Sequence, residues 1–361
     1  SVQIRSMDAV DVAALGTASI VALTTLQISA LTAAQISALT TAQIEVIQTE
    51  DLAALSPATI AGLTVTQIRA LTNDQLVALT TAQAAALTGA QVGAMTVSQI
   101  AALELGDVAK LSTAAIVGLT SAQVAALTDL QLQALTSAQF AKIDALDLKG
   151  LSTSDMALLN ADQIGAITAV QIAALTTAQI DAIQIPLIPY LSTAAIKGLT
   201  VAQAAALSVA QVEALSNAQV AALEPADFAA LGTAQLEALS LGQAAVLSSA
   251  QVAALTPAKL AVLETADLAA LTTLAIKGLT AAQVGSLTDD QVVALTTAQA
   301  AALSSAQFSG MKTAQVAALT EEQVVALRSA QLAALTTAQI QALEVQDLAA
   351  LASATIAGFT T

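Results

Sequence analysis

Apolar and polar positions recur with a period of eight residues along the whole chain. From Thr24 the sequence reads TTLQISAL, TAAQISAL and TTAQIEVI, and we number the places of this octad one to eight, starting at Thr24. The eighth place is apolar in all 45 instances from Met7 to Phe359, and the fifth place is apolar throughout. No insertion or deletion disturbs the phase, which indicates that each octad stacks on its neighbours.

The period excludes one continuous α-helix. Eight residues over two turns is about 4 residues per turn, whereas an α-helix has ~3.6, so the apolar stripe would drift by about 80° per octad. A β-solenoid is the serious alternative, because eight is even and Thr, Val and Ile favour strands. However, the apolar places five, seven and eight do not alternate, and Ala, Leu and Gln are good helix formers. The pattern therefore predicts an all-α fold.

Place one predicts where each helix begins. It holds Ser, Thr, Asp, Asn or Gly in 36 of 45 octads, and these residues are the preferred helix N-caps. Place four is Gln in 29 of 45 octads, which completes a capping box such as Thr32 with Gln35. Each octad is therefore predicted to be one very short capped helix followed by a corner. Places five and eight should point into a shared core, and the small residue at place seven should let a neighbouring segment approach closely.

Asp replaces Gln at place four in a longer pattern, often with Glu at place one. These marked octads mostly recur after 40 residues, which is five octads. We interpret residues 1–361 as one continuous array, cut from a longer protein, that winds as a single-chain superhelical solenoid with about five octads per turn. A duplication unit without geometric meaning is the alternative. With five octads per turn, one acidic column would contain Asp107, Asp147, Asp227 and Asp267.

The composition argues against an enzyme and against a nucleic-acid binder. The chain has no His and no Cys, so it lacks the commonest general base and the thiolate nucleophile. Its net charge of −16 has the wrong sign for binding nucleic acid. Apolar residues make up 56 % of the chain, but no run approaches the ~18 uninterrupted apolar residues of a membrane-spanning helix. We predict no catalysis, no cofactor and no transmembrane segment.

Two local features are candidate sites. The Glu-x-x-Asp octads, such as Glu104 with Asp107, offer paired carboxylates of the kind that calcium prefers. The simpler interpretation is that both acids are helix-capping residues, and we therefore predict no metal. The octad 184–191 is the most degenerate, and its Pro186, Pro189 and Tyr190 form a candidate patch for a partner. Pro189 falls inside the helical stretch and should break it, so the alternative is a tolerated local defect.

The run of A-L-T-x-x-Q-apolar-x octads resembles the octapeptide repeat regions of very large bacterial surface or secreted, adhesin-like proteins. The resemblance spans the whole chain, rests on the octad alone and carries no catalytic or binding residue with it. It implies an extracellular or cell-surface protein in which this region is a rigid spacer, a stalk or a filament-forming segment. Its partner would be another copy of itself, stacked end to end, or another surface protein. The alternative is an acidic rod that captures a protein or mimics nucleic acid.

Overall fold

One short helix per octad is the element from which this protein is built. A computed structural model describes residues 2–351, and in that range the octads hold 42 α-helices and two 3-10 helices of four to six residues, with no strand. The all-α prediction is confirmed and the β-solenoid alternative is wrong. None of the helices between residues 2 and 351 has the length and apolarity that crossing a bilayer requires.

The chain divides into two units, Ser1–Ser192 and Thr193–Thr361. The α-helices of the first unit are Val2–Arg5, Ala9–Ala13, Thr17–Val21, Thr25–Ile28, Ala33–Ala38, Thr41–Glu45, Thr49–Ala53, Pro57–Ala61, Val65–Ala70, Asn73–Val77, Thr81–Ala86, Gly89–Ala94, Val97–Ala102, Leu105–Val108, Thr113–Ile116, Ser121–Val124, Asp129–Ala134, Ser137–Phe140, Thr153–Leu158, Ala161–Ala166, Ala169–Ala174 and Thr177–Asp181. Its 3-10 helices are Asp147–Gly150 and Ile185–Tyr190. The α-helices of the second unit are Thr193–Lys197, Val201–Ala206, Val209–Ala214, Asn217–Ala222, Pro225–Ala230, Thr233–Glu237, Leu241–Ala245, Ser249–Ala254, Pro257–Leu260, Thr265–Ala270, Thr273–Lys277, Ala281–Val284, Asp289–Ala294, Thr297–Ala302, Ser305–Ser309, Thr313–Ala317, Glu321–Val325, Ser329–Leu332, Thr337–Ala342 and Val345–Ala350.

The predicted capping box starts most of these helices. Thr32 has an extended backbone, and its Oγ1 accepts a hydrogen bond of 3.2 Å from the backbone N–H of Gln35. Gln35 Oε1 in turn accepts one of 2.9 Å from the backbone N–H of Thr32. The second unit repeats the arrangement at Thr200 and Gln203. The capped helices begin at place two because the cap satisfies N–H groups that have no partner within the helix.

Places four, five and eight face the interior. In the octad 32–39, Gln35 is 3 % exposed, Ile36 is fully buried and Leu39 is 4 % exposed. Helices of four to six residues are unstable alone, so burial of these side chains has to hold them in place. The prediction that places five and eight form the core is confirmed.

The amide nitrogen of the place-four Gln bonds its octad to the octad four earlier in the chain. Gln67 Nε2 donates to the carbonyl oxygens of Ile36 at 2.8 Å and Leu39 at 2.7 Å, which lie 31 and 28 residues earlier. In the second unit, Gln243 Nε2 donates to the carbonyls of Val212 at 2.9 Å and Leu215 at 2.8 Å. Carbonyls at a helix C-terminus lack regular intrahelical partners. One Gln side chain therefore caps the start of its own helix and also donates hydrogen bonds to carbonyl oxygens at the end of a helix in the preceding coil.

Each coil closes after between three and four octads, so the prediction of five octads per turn is wrong. Helix Pro57–Ala61 packs against Ala33–Ala38 and Thr81–Ala86, three octads before and three octads after it. The Gln bonds add contacts with the octad four before. Hydrogen bonds between coils join residues that are 25 to 31 positions apart in the sequence. One turn of the coil is therefore shorter than 40 residues. The 40-residue recurrence in the sequence does not describe the coil.

Small residues at place seven let successive coils touch through their backbones. A Cβ on Gly62 would lie 2.6 Å from the Cβ of Ala33, and one on Gly118 would overlap the carbonyl oxygen of Gly89. No residue between 2 and 351 has a positive φ, so close approach explains these glycines and backbone conformation does not. The predicted role of place seven is confirmed.

Replacing Gln83 with Glu tests the amide bond between coils. Gln83 is fully buried, and its Nε2 donates to the carbonyls of Leu52 and Leu55, both at 2.8 Å. Glu keeps the capping oxygen but sets a carboxylate oxygen against two carbonyl oxygens. We expect the free energy of unfolding at pH 7, measured by urea titration with circular dichroism, to fall by about 2–4 kcal/mol.

The matched control is Gln133→Glu, the same change at an exposed place-six residue. This variant should stay within about 0.5 kcal/mol of the unmodified chain. If the two variants lose the same stability, then the amide of Gln83 does not bridge the coils.

Replacing Gly118 with Ala tests the close approach at place seven. The new methyl group would collide with the carbonyl oxygen of Gly89, so we expect a loss of about 1–3 kcal/mol in the same urea titration. Gly106→Ala is the control, since a Cβ there meets only Thr81 Cγ2, at 3.6 Å. Because Gly106 lies within a helix, that variant should gain up to about 1 kcal/mol. A gain in both variants would contradict backbone contact at Gly118.

Candidate functional site

Three of the four Glu-x-x-Asp octads depart from the capping box. Glu104, Glu224 and Glu264 occupy N-cap positions, but none of their side chains makes a capping hydrogen bond. A Ser at the same place does so: Ser152 Oγ accepts from the backbone N–H of Asp155 at 3.1 Å, and Asp155 accepts from that of Ser152 at 2.7 Å. These three Glu residues hold the N-cap position that the capping interpretation gives them, but their side chains make no capping bond. In the fourth such octad, Asp347 Oδ2 accepts a hydrogen bond of 3.2 Å from the backbone N–H of Glu344.

The structure does not assemble the predicted acidic column. Asp107, Asp227 and Asp267 are 1 %, 4 % and 2 % exposed, while Asp147 is half-buried in a 3-10 helix. Asp107 and Asp147 are 40 residues apart within the first unit, whereas hydrogen bonds between coils join residues 25 to 31 apart. The column depended on five octads per turn, and it fails with that prediction.

Two of these carboxylates have an oxygen without any partner. Within residues 2–351, the buried side-chain atoms that lack a hydrogen bond are Asp107 Oδ2 and Asp267 Oδ2. Burial, together with the nearby Glu104, raises the pKa of Asp107 to about 6. Burial and the Glu three residues earlier also raise the pKa values of Asp227 and Asp267. At neutral pH the Asp107 carboxylate is therefore mostly ionised, and a buried charge of this kind is costly without compensation.

Two other residues at place four supply a hydrogen-bond donor where Gln is missing, whereas Ala115 and Ala275 have no side-chain donor to supply. Thr59 Oγ1 donates to the carbonyl of Leu31 at 3.1 Å, 28 residues earlier. Lys259 Nζ donates to the carbonyl of Ala229 at 2.5 Å, 30 residues earlier. An ionised Asp has no proton to donate, so the marked octads place an acceptor where most octads place a donor.

This second role of Gln was missed in the sequence, although a signal was present. A capping box accepts either Glu or Gln at its fourth position, yet no octad has Glu at place four. The difference between the two side chains is the NH₂ group, which caps nothing at its own helix. The absence of Glu thus indicates that the amide protons have another acceptor.

The candidate patch in the octad 184–191 lies on the surface. Pro186, Pro189 and Tyr190 are all exposed, and the segment Ile185–Tyr190 is a 3-10 helix. This octad forms a 3-10 helix that contains Pro189, instead of an α-helix. The octad phase is kept, since Ile188 at place five is still buried. The structure brings the three residues together on one exposed 3-10 helix.

No cluster of three or more His, Cys, Asp or Glu side chains suited to a metal ion occurs between residues 2 and 351. A metal bound at a Glu-x-x-Asp octad would therefore need ligands beyond the two carboxylates. Backbone carbonyl oxygens are the available class, because the octads stack with the ends of earlier helices beside place four.

The ALTTAQ repeat family matches the chain seven times, at residues 4–41, 44–81, 100–137, 140–177, 220–257, 260–297 and 297–329. Three pairs of neighbouring matches begin 40 residues apart, so the 40-residue recurrence is a unit of sequence repetition and not a turn of the coil. No curated protein matches the chain. Since the family matches cover more than half of its length, the chain belongs to the ALTTAQ repeat family.

Proposed function

We propose that this chain is a rigid spacer, stalk or filament-forming segment of a bacterial surface or secreted protein, without catalytic activity. The observation that carries the proposal is the ladder of buried Gln amides that bonds octad to octad in each unit. The bonds of Gln91 in the first unit and Gln291 in the second are representative. A chain built almost entirely from one stacking interaction suits a mechanical task.

Stiffness within a unit follows from the density of these bonds. Segments that move independently have few buried contacts and long connections. Here the corners between helices are only a few residues long, and buried side chains recur in every octad. A bend would have to break several Gln bonds at once.

The absence of catalysis is proposed from the composition. No side chain of this chain is His or Cys, so general base and thiolate chemistry would have to come from carboxylates alone. The carboxylates with raised pKa values, Asp107, Asp227 and Asp267, are buried between coils, where a substrate would have to separate the coils to reach them.

Surface or secreted location is proposed from the resemblance to repeat regions of large bacterial proteins. The net charge of −16 favours solubility of such an extended repeat. The proposed partners are a second copy, stacked end to end, or another surface protein, since solenoid units present the same stacking surface repeatedly.

The competing proposal, an acidic binding module, is weaker. It requires carboxylates aligned on a surface, whereas Asp107, Asp227 and Asp267 are buried. These residues cannot imitate a row of phosphates while they lie between coils.

Stretching the full chain by its two ends with optical tweezers tests the spacer role. We expect extension in many small steps, with refolding on relaxation, because each octad contacts only neighbouring coils and can be released locally. Smooth lengthening from the lowest forces, as for a flexible linker, would contradict the proposal.

A pair of insertions provides the control. A second copy of the octad 80–87, inserted after Leu87, keeps the phase and should preserve the stepwise trace while adding contour length. One Ala inserted at the same point shifts the Gln residues of the following coil relative to their carbonyls, and it should lower the force of the first steps. Equal traces for both insertions would also contradict a stack whose length is set in whole octads.

A further inference from the structure

In two octads, an Asp carboxylate faces a backbone carbonyl oxygen of the preceding coil, at the contact between coils (the seam) where other octads have a Gln amide. The Gln bonds before and after the first of them fix the register: Gln99 donates to the carbonyl of Leu71, and Gln123 donates to that of Met95, each 28 residues earlier. The same register sets Asp107 opposite the carbonyl of Leu79. No donor among the described residues reaches that carbonyl oxygen, and Asp107 Oδ2 is itself buried and unpartnered.

The second unit repeats this arrangement at Asp267. Gln251 and Gln283 bond to the carbonyls of Leu223 and Leu255, 28 residues earlier, so Asp267 faces the carbonyl of Leu239. That oxygen likewise has no donor within the described range, and Asp267 Oδ2 is the second buried oxygen without a partner. The same pair of unsatisfied oxygens therefore occurs twice, in octads that both carry the Glu-x-x-Asp pattern.

A third oxygen group is available in each octad. Glu104 and Glu264 occupy the N-cap positions, and their side chains are not used for capping. Glu104 is exposed and lines a surface cleft together with Leu105, Gly106 and Thr128. Its carboxylate is close enough to Asp107 to help raise the pKa of that buried carboxyl, so both carboxylates of the octad lie near the unpartnered oxygen.

The chemistry of this set points to a hard cation. Carboxylates, a backbone carbonyl and solvent are the oxygen ligands of calcium-class ions, at ~2.3–2.6 Å. Asp is one methylene shorter than Gln, and a bound ion would fill the distance that the longer Gln side chain spans elsewhere. An ion would supply the positive charge that the amide protons supply in the other octads.

We propose that the octads 104–111 and 264–271 each bind one divalent cation of the calcium class. The ligands are the Asp carboxylate, the Glu carboxylate of the same octad and the backbone carbonyl of the preceding coil, from Leu79 or Leu239. The ion joins two coils at the point where the Gln bond is missing.

A calcium titration of the full chain, after treatment with a chelator, tests the proposal. At pH 7.5 and constant ionic strength, we expect about 10 mM CaCl₂ to raise the melting temperature by about 3–6 °C, in a saturable manner. Calorimetric titration should give two sites per chain.

Replacing both Asp107 and Asp267 with Gln should remove the calcium response. Because Gln restores the amide donor of the other octads, this variant should melt at a higher temperature than the unmodified chain without calcium. Asp51→Gln is the matched control: Asp51 is also buried at place four, but its octad begins with Gln48 instead of Glu. That variant should keep the full calcium response.

An unchanged melting temperature at about 10 mM calcium, or an equal rise in the double variant, would overturn the proposal. Neutralisation by a proton is the competing outcome. The raised pKa of Asp107, about 6, means that the folded chain holds this proton more tightly than the unfolded chain, so stability should increase as the pH falls from about 6 toward 4. If acid stabilises the chain while calcium at pH 7.5 has no effect, then a proton takes the place assigned to the ion.

Discussion

The amide group of the place-four Gln satisfies backbone groups in two coils at the same time. Gln91 Oε1 accepts from the backbone N–H of Thr88 at 2.8 Å, while its Nε2 donates to the carbonyls of Ile60 and Leu63, both at 2.9 Å. A helix of six residues leaves most of its end groups without partners. Because the missing partners come from the neighbouring coil, helices far too short to persist alone become stable as a stack.

This interaction accounts for the strict phase of the repeat. A Gln reaches carbonyls 28 and 31 residues earlier, so one inserted residue would misplace the Gln amides of the following coil. It also accounts for the choice of Gln over Glu, since only Gln both accepts at the cap and donates to the coil before it. The buried Asp107 and Asp267 are the informative exceptions, because there the donor is absent and oxygen atoms remain unsatisfied.

Features that depend on residues within one octad were predictable from the sequence. The cap at Thr32, the buried face with Ile36 and the close approach at Gly62 all follow from spacings of a few residues. The number of octads per turn was not predictable in this way, because it depends on contacts between residues 25 to 31 apart. The 40-residue recurrence misled the prediction, since sequence repetition and coil geometry have different periods here. The unpartnered oxygen of Asp107 was not predicted for the same reason, because the register that sets it opposite Leu79 joins residues 28 apart.

Side-chain amide hydrogen exchange, followed by nuclear magnetic resonance, tests the Gln ladder most directly. Buried place-four residues such as Gln83 should exchange their NH₂ protons far more slowly than the exposed Gln133, because their Nε2 groups are hydrogen-bonded between coils. Scalar couplings across those hydrogen bonds should connect each Nε2 to the carbonyl 28 residues earlier. Exchange as fast as that of Gln133, or couplings to carbonyls at another spacing, would contradict the account.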